Sequence, residues 1–158
     1  MPPEQTPARR KEDSTMLLGL DPLLTADLLH ALRAMGHGDT IAVVDANFPA
    51  TSCARRLIVT PGIDASQISR AILSVLPIDD FIPLPLLTMQ VVGAPEEVPP
   101  AVVDLRQIAR QAGVDEAALG TVERHEFYRL ARESFAIVQT GDRRLYANII
   151  LTKGVIRA

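Results

Sequence analysis

The chain is short of several features that would point to familiar classes. It has a single cysteine, Cys53, so neither a disulfide framework nor a thiolate metal cluster can form within it. It has no excess of basic charge: the formal net charge of −3 removes the electrostatic case for binding nucleic acid. No apolar run approaches the roughly 20 residues that cross a bilayer as a helix. The N-terminus lacks the charged head, apolar stretch and small-residue cleavage site of a secretory signal. The expectation is a soluble cytoplasmic protein without membrane or nucleic-acid partners. The sequence also lacks internal repeats, a low-complexity interior, a Gly-x-Ser-x-Gly elbow and a glycine-rich phosphate loop. Gly36-x-Gly38 has no third glycine and follows a helical pattern rather than a strand.

What is present suits one α/β domain. At 158 residues and 47% apolar content the chain can bury a sizeable core, with some apolar surface left for a partner subunit. Residues 1–15 alternate prolines and charges with no apolar face, and read as a disordered or loosely attached extension; the domain spans 16–158. A helix is expected from Ala26 to Met35, capped by Thr25, with Leu24, Leu28, Ala31, Leu32 and Met35 as its apolar stripe and Gly36 as its stop. Ile41–Val44 and Leu57–Thr60 read as strands. Asp64 and Gln67 form a capping box ahead of a helix over Ala65–Leu76, ended by Pro77. Leu84–Val92 is a strand whose start is delayed by Pro83 and Pro85. Pro99-Pro100 opens a helix ending near Gly113. A short strand around Leu119–Arg124 precedes a helix over Glu126–Glu133. Phe135–Gln139 and Ala147–Thr152, on either side of a turn at Thr140–Asp142, read as an antiparallel pair. The fold class is therefore a single domain with a mixed sheet flanked by helices.

The densest chemistry lies in Met35–Ala50. His37 sits between two glycines, off any apolar face, and Asp45 emerges at the C-terminal end of a buried strand. A histidine and a carboxylate on rigid elements at strand ends suit proton transfer. The alternatives are a surface turn histidine and a structural cap. Asp39 reads as closing its own turn through a side-chain bond to backbone. Arg124 and Tyr128, at a strand-to-helix junction, can face one crevice, or Arg124 is simply solvated. His125 and Glu126 are adjacent and do not converge on one ion, so no metal site is expected. Tyr146 and Asn148 put two hydrogen-bonding side chains on one side of an extended segment, which suits a polyhydroxylated ligand or, alternatively, a hairpin edge. Cys53 reads as a small half-buried residue.

Taken in order, Met35-Gly36-His37-Gly38-Asp39, Asp45-Ala46-Asn47-Phe48-Pro49-Ala50, Phe127-Tyr128, Phe135-Ala136-Ile137-Val138, Thr140-Gly141, Tyr146-Ala147-Asn148 and Lys153-Gly154 resemble the family of L-fucose mutarotase and D-ribose pyranase. The match runs from Met16 to Val155. Asp45–Ala50 is more similar to the fucose branch. The resemblance implies a ribose-pyranase-like fold, a ring assembly (commonly a decamer of two pentamers) and sites at subunit interfaces. It implies catalytic roles for His37 and Asp45. Sugar contacts would come from Asp45, Arg124, Tyr128, Tyr146 and Asn148, with Asp79 and Met89 at further pocket positions. It implies no cofactor and no metal. The activity implied is anomer exchange of a free monosaccharide, L-fucose or a related sugar. Pyranose–furanose exchange of D-ribose, or sugar binding without catalysis, are the alternatives. His125 and the segment Phe81–Thr88 depart from the family pattern and leave the sugar open.

Overall fold

The computed structural model describes residues 16–158; the extension expected at 1–15 lies outside the described residues. The elements are α1 (Ala26–Ala34), β1 (Thr40–Val44), α2 (Ala50–Cys53), β2 (Leu57–Thr60), α3 (Ala65–Leu73), β3 (Leu86–Met89), α4 (Pro100–Gln111), a 3-10 turn at Glu116–Ala118, β4 (Leu119–Val122), α5 (Arg124–Glu133), β5 (Ala136–Thr140) and β6 (Ile149–Thr152). The strands make one six-stranded sheet in the order β2-β5-β1-β6-β3-β4. β1 pairs parallel with β5, β5 with β2 and β3 with β4, while β6 runs antiparallel between β1 and β3. No helix among the described residues is long and apolar enough to cross a membrane.

Strand alternation builds two cores. Ile41 and Val43 of β1, Ala136 and Val138 of β5 and Ile149 and Leu151 of β6 face the larger one, which α1, α3 and α4 cover through Leu28, Leu32, Ile68, Ile72 and Leu105. The intervening residues Ala42, Val44, Ile137 and Ile150 face a smaller core closed by α2 and α5 through Cys53, Phe127 and Ala131, together with Phe48. The period of two thus feeds both faces of a three-layer α/β/α domain.

Helix starts follow the cap chemistry. Thr25 accepts from the backbone of Leu28, and Asp64 and Gln67 complete the capping box. Pro100 occupies the first turn of α4, where its missing N–H costs nothing. Two expectations change. α5 begins at Arg124 rather than Glu126, because the Glu123 carboxylate accepts from the backbones of His125 and Glu126; glutamate is an uncommon cap, and the sequence pattern hides it. The last two strands do not pair with each other: β1 lies between them, and the chain from Thr140 to Ile149 crosses over β1 instead of turning back as a hairpin.

That crossover is anchored by Asp142. Its carboxylate accepts from the backbone of Ala65 at the start of α3 and from Arg144, which also reaches Asp104 on α4 and Ser66 on α3. Burial alone raises the Asp142 pKa, but the bonds from Arg144 and Ala65 together hold the carboxyl below its ordinary value. A depressed folded-state pKa contributes stability above the unfolded value of about 3.8 that is lost as pH falls through the folded value. Asp142→Asn should therefore lower Tm at pH 7, and the gap to the parent should close in acid. Thermal unfolding of both proteins from pH 7 to 3 checks this; a gap constant with pH rejects the charge as its cause.

Candidate functional site

The C-terminal ends of β1, β3 and β4 and the approach to the oppositely running β6 meet at one edge of the sheet, the pole where α/β proteins commonly hold ligands. A crevice of about 220 Å³ opens there, lined by Asp45, Asn47, Phe48, Met89, Val92, Arg124, Tyr128, Leu145, Tyr146 and Asn148. It is smaller than the roughly 300–1,000 Å³ of drug-sized sites and fits one compact molecule.

Asp45 and Asn148 lock reciprocally at its floor. The Asp45 backbone N–H donates to Asn148 Oδ1 at 2.8 Å, and Asn148 Nδ2 donates to Asp45 Oδ2 at 3.1 Å. Asp45 Oδ1 accepts from the Asn47 backbone at 2.9 Å. Burial pushes the Asp45 carboxyl above its ordinary pKa; bonds from Asn47, Asn148 and Phe48 work against that rise, and the charge of Asp142 adds to it. The alternative of a structural cap thus describes part of what Asp45 does: one oxygen closes its own turn while the other faces Asn148.

Two phenols flank this pair. The Tyr128 hydroxyl accepts from Arg124 Nε at 3.3 Å, and its ring stands edge-on to Phe48 with centroids 5.0 Å apart. The Tyr146 hydroxyl accepts from the Val92 backbone at 3.0 Å. Each hydroxyl accepts a bond from the protein and keeps its own proton free to donate. Tyr146 reaches this position with φ +63°, a left-handed conformation rare for a bulky residue, so the expectation of an extended Tyr146–Asn148 segment does not hold. Both side chains nevertheless line the crevice. Met89 is buried behind them in the smaller core.

His37 and Asp79 lie at the other pole. His37 Nε2 is 2.9 Å from Asp79 Oδ1; the imidazole is 41% exposed and the carboxylate 3%. The Phe81 backbone N–H donates to the same Asp79 oxygen, and the Phe81 ring leans on the imidazole with centroids 4.8 Å apart. Asp39 closes the turn under His37 by accepting from Gly36 at 2.7 Å, as read from the sequence. His37 precedes β1 and Asp45 follows it. The five residues of that strand span about 16 Å of extended chain at roughly 3.3 Å each, so the two do not share a site within one protomer. Asp45, Met89, Arg124, Tyr128, Tyr146 and Asn148 come together, and His37 and Asp79 form a separate pair. The sequence reading did not single out Asn47, Phe48, Val92 or Leu145 as crevice walls. Phe48 sits in the Asp45–Ala50 motif, but the exposed Val92 and Leu145 carry no sequence signal. Among the described residues, no group of three or more His, Cys, Asp and Glu side chains converges to hold a metal.

Fold and site together define a three-layer α/β protein with a small polar crevice at the strand ends and a histidine–carboxylate pair at the opposite pole. The sequence model of the RbsD / FucU transport protein family matches residues 18–156, and the chain belongs to that family. It is 40% identical over 146 residues to the fucose mutarotase of Homo sapiens, covering 89% of this chain and 94% of that one. The solved structure of a fucose mutarotase from Streptococcus pneumoniae in complex with L-fucose superposes with a TM-score of 0.85 at 36% identity, covering 89% of this chain and all of that one. The Bacillus subtilis RbsD complexed with D-ribose shares the fold, with a TM-score of 0.67 at 20% identity over 85% of this chain and 95% of that one.

The raised Asp45 pKa has a testable sign. Its contribution to stability is fully present below the unfolded value of 3.8 and is lost as pH rises through the folded value. Asp45→Asn should gain stability relative to the parent between about pH 3.8 and neutrality, whatever its constant offset from altered bonding to Asn148. Parallel melting curves across that range decide the point; parallel pH dependences would show that Asp45 ionises freely.

Proposed function

We propose that this protein is a sugar mutarotase that interconverts the anomers of a free monosaccharide, L-fucose or a close relative, in the cytoplasm. The observation that carries the reading is the Asp45–Asn148 lock flanked by two phenols with free protons, in a crevice sized for one sugar. The L-fucose complex of a 36% identical relative supports the fucose branch, whereas the likeness to the ribose-complexed protein is one of fold alone.

Mutarotation opens a hemiacetal ring and recloses it on the other face of the carbonyl. A base takes the proton of the anomeric hydroxyl as an acid protonates the ring oxygen, and the bond between that oxygen and the anomeric carbon breaks to leave an aldehyde. After rotation about the adjacent carbon–carbon bond the hydroxyl attacks the carbonyl again and the two protons return, so nothing is gained or lost and no cofactor is needed. In this reading His37 is the principal acid/base group. Asp45 and Asn148 hold sugar hydroxyls, and Arg124, Tyr128 and Tyr146 orient the ring. One positioned acid/base group supplies about 10²–10⁴ in rate.

The separation of the poles gives this reading its architecture. His37 reaches a sugar in the Asp45 crevice only if it comes from a second protomer. Exposed apolar side chains support such a head-to-tail contact: Phe81 leans on His37 and Ile82 lines a hollow with Asp79, while Val92 and Leu145 line the crevice. A heterologous contact closes into a ring when the rotation allows, and the ring would be the decamer of two pentamers that the family resemblance implies.

Saturation-transfer NMR of L-fucose, D-ribose and D-galactose tests the activity. Fast α/β exchange of L-fucose is expected; exchange confined to ribose ring forms would move the protein to the pyranase branch, and saturable binding without exchange would make it a sugar-binding protein. Complementation tests the shared site. His37→Ala and Asp45→Asn proteins should each be nearly inactive, and mixed assemblies should recover activity, since some junctions then hold both intact groups. Active single variants, or mixtures as inactive as their components, would reject a site built from His37 and Asp45 of two protomers.

A further inference from the structure

We propose that Lys153 is a positioning residue that fixes the His37 turn against Asp79; this rests on the assignment of His37 as the acid/base group. The segment 152–154, at the end of β6, grips both partners of that pair. Toward His37, the Gly38 N–H donates to the Lys153 carbonyl at 2.8 Å, and the Lys153 N–H donates to the Asp39 carbonyl at 2.9 Å. Toward Asp79, its N–H donates to the Thr152 carbonyl at 3.0 Å and Gly154 donates to Pro77 at 2.8 Å. A Cβ on Gly154 would lie 2.6 Å from the Ile78 carbonyl oxygen and 2.8 Å from the Asp79 backbone, so the two segments approach as only glycine allows.

Where the turn emerges from α1 the backbone supplies one bond, from the Met35 N–H to the Ala31 carbonyl at 3.0 Å, and it lies within the helix. There the Lys153 side chain acts: Nζ donates to the carbonyls of Leu32 at 2.8 Å and Met35 at 2.7 Å. These are among the orphan carbonyls of a helix end, where the dipole favours a cation. α1, the histidine turn and the Asp79 segment are thereby joined through one residue. The turn's internal bonds, Asp39 N–H to Gly36 and Gly36 N–H to Asp39 Oδ2, keep it closed but do not fix it to the sheet. Lys153 does not line the Asp45 crevice, so its effect runs through His37. Asp79 contacts the imidazole directly; Asp39 and Lys153 bond to the backbone on either side of it, and Arg157, paired with Asp80, lies over the Phe81 ring that leans on the imidazole.

The test compares the parent, Lys153→Met and Lys153→Arg in the full-length assembled protein, using ring-¹⁵N-labelled histidine NMR and sugar-exchange kinetics. With the turn released, the His37 ring-nitrogen signals should move toward those of a free imidazole while those of His125, at the far pole, stay in place. kcat should fall on the order of tenfold to a hundredfold, the scale of a small misplacement of a reacting group, with KM changed less than twofold. Lys153→Arg, which keeps a cation for the helix end, should restore most of both. Unmoved His37 signals in a folded Lys153→Met protein overturn the proposal, whether or not rate is lost, because a loss without them is structural only. If Lys153→Met does not fold, Lys153→Gln, which keeps one donor, gives the same comparison. A parent that exchanges no sugar refutes the mutarotase reading alone, since the imidazole signals still report whether Lys153 holds His37.

Discussion

The antiparallel ladder that β6 makes with β1 on one side and β3 on the other is the constraint on which both ends of this molecule depend. Because β6 runs against its neighbours, its entry lies beside their C-terminal ends and its exit beside their starts. Tyr146 and Asn148 enter at the crevice, and Lys153 and Gly154 leave at the histidine pair. Had β6 run parallel, the Tyr-x-Asn motif would lie at the pole of His37 and Asp45 would have no amide partner. The final strand thus carries the functional polarity of the sheet in four residues of ladder.

The ladder holds because its residues are dry on both faces. Ile149, Ile150 and Leu151 are at most 2% exposed, and they alternate between the two cores, so a slip of one residue would exchange the contents of both. Outside the ladder the helices pack through the two apolar cores, and the irregular connections add buried polar ties. Asp142 pins the crossover to α3, and Asp45 and Asn148 satisfy each other. A buried polar group left without its partner costs about 1–3 kcal/mol, and these reciprocal arrangements avoid that cost where the backbone is least regular.

Much of this was legible in the sequence, for definable reasons. Thr25, the Asp64–Gln67 box and Pro99-Pro100 mark helix starts through local chemistry, and the apolar runs mark central strands. What escaped was non-local. Phe135–Gln139 and Ala147–Thr152 look like a hairpin because a turn at Thr140–Asp142 lies between them, and only the sheet order reveals β1 in the gap. Tyr146 carries no sign that it adopts a positive φ, since a bulky residue is the last that steric rules place there. The crevice residues Arg124, Tyr128, Tyr146 and Asn148 were recognisable by type and by family resemblance. The contact of His37 with Asp79 was not, because 42 residues separate them. Sequence proximity also placed His37 and Asp45 together, and a straight strand holds them apart.

The backbone at Tyr146 sets the demands of folding against those of the site. A left-handed conformation costs a residue with a Cβ about 1–2 kcal/mol, which glycine would avoid and asparagine would reduce. A chain selected for stability alone would place one of those at 146. From that backbone angle the Tyr146 phenol spans to the Val92 N–H and lines the crevice, a reach that neither glycine nor asparagine has. Thermostabilising this protein by relaxing position 146 would therefore trade away the wall of its own pocket, and stability is better sought on the opposite face of the sheet.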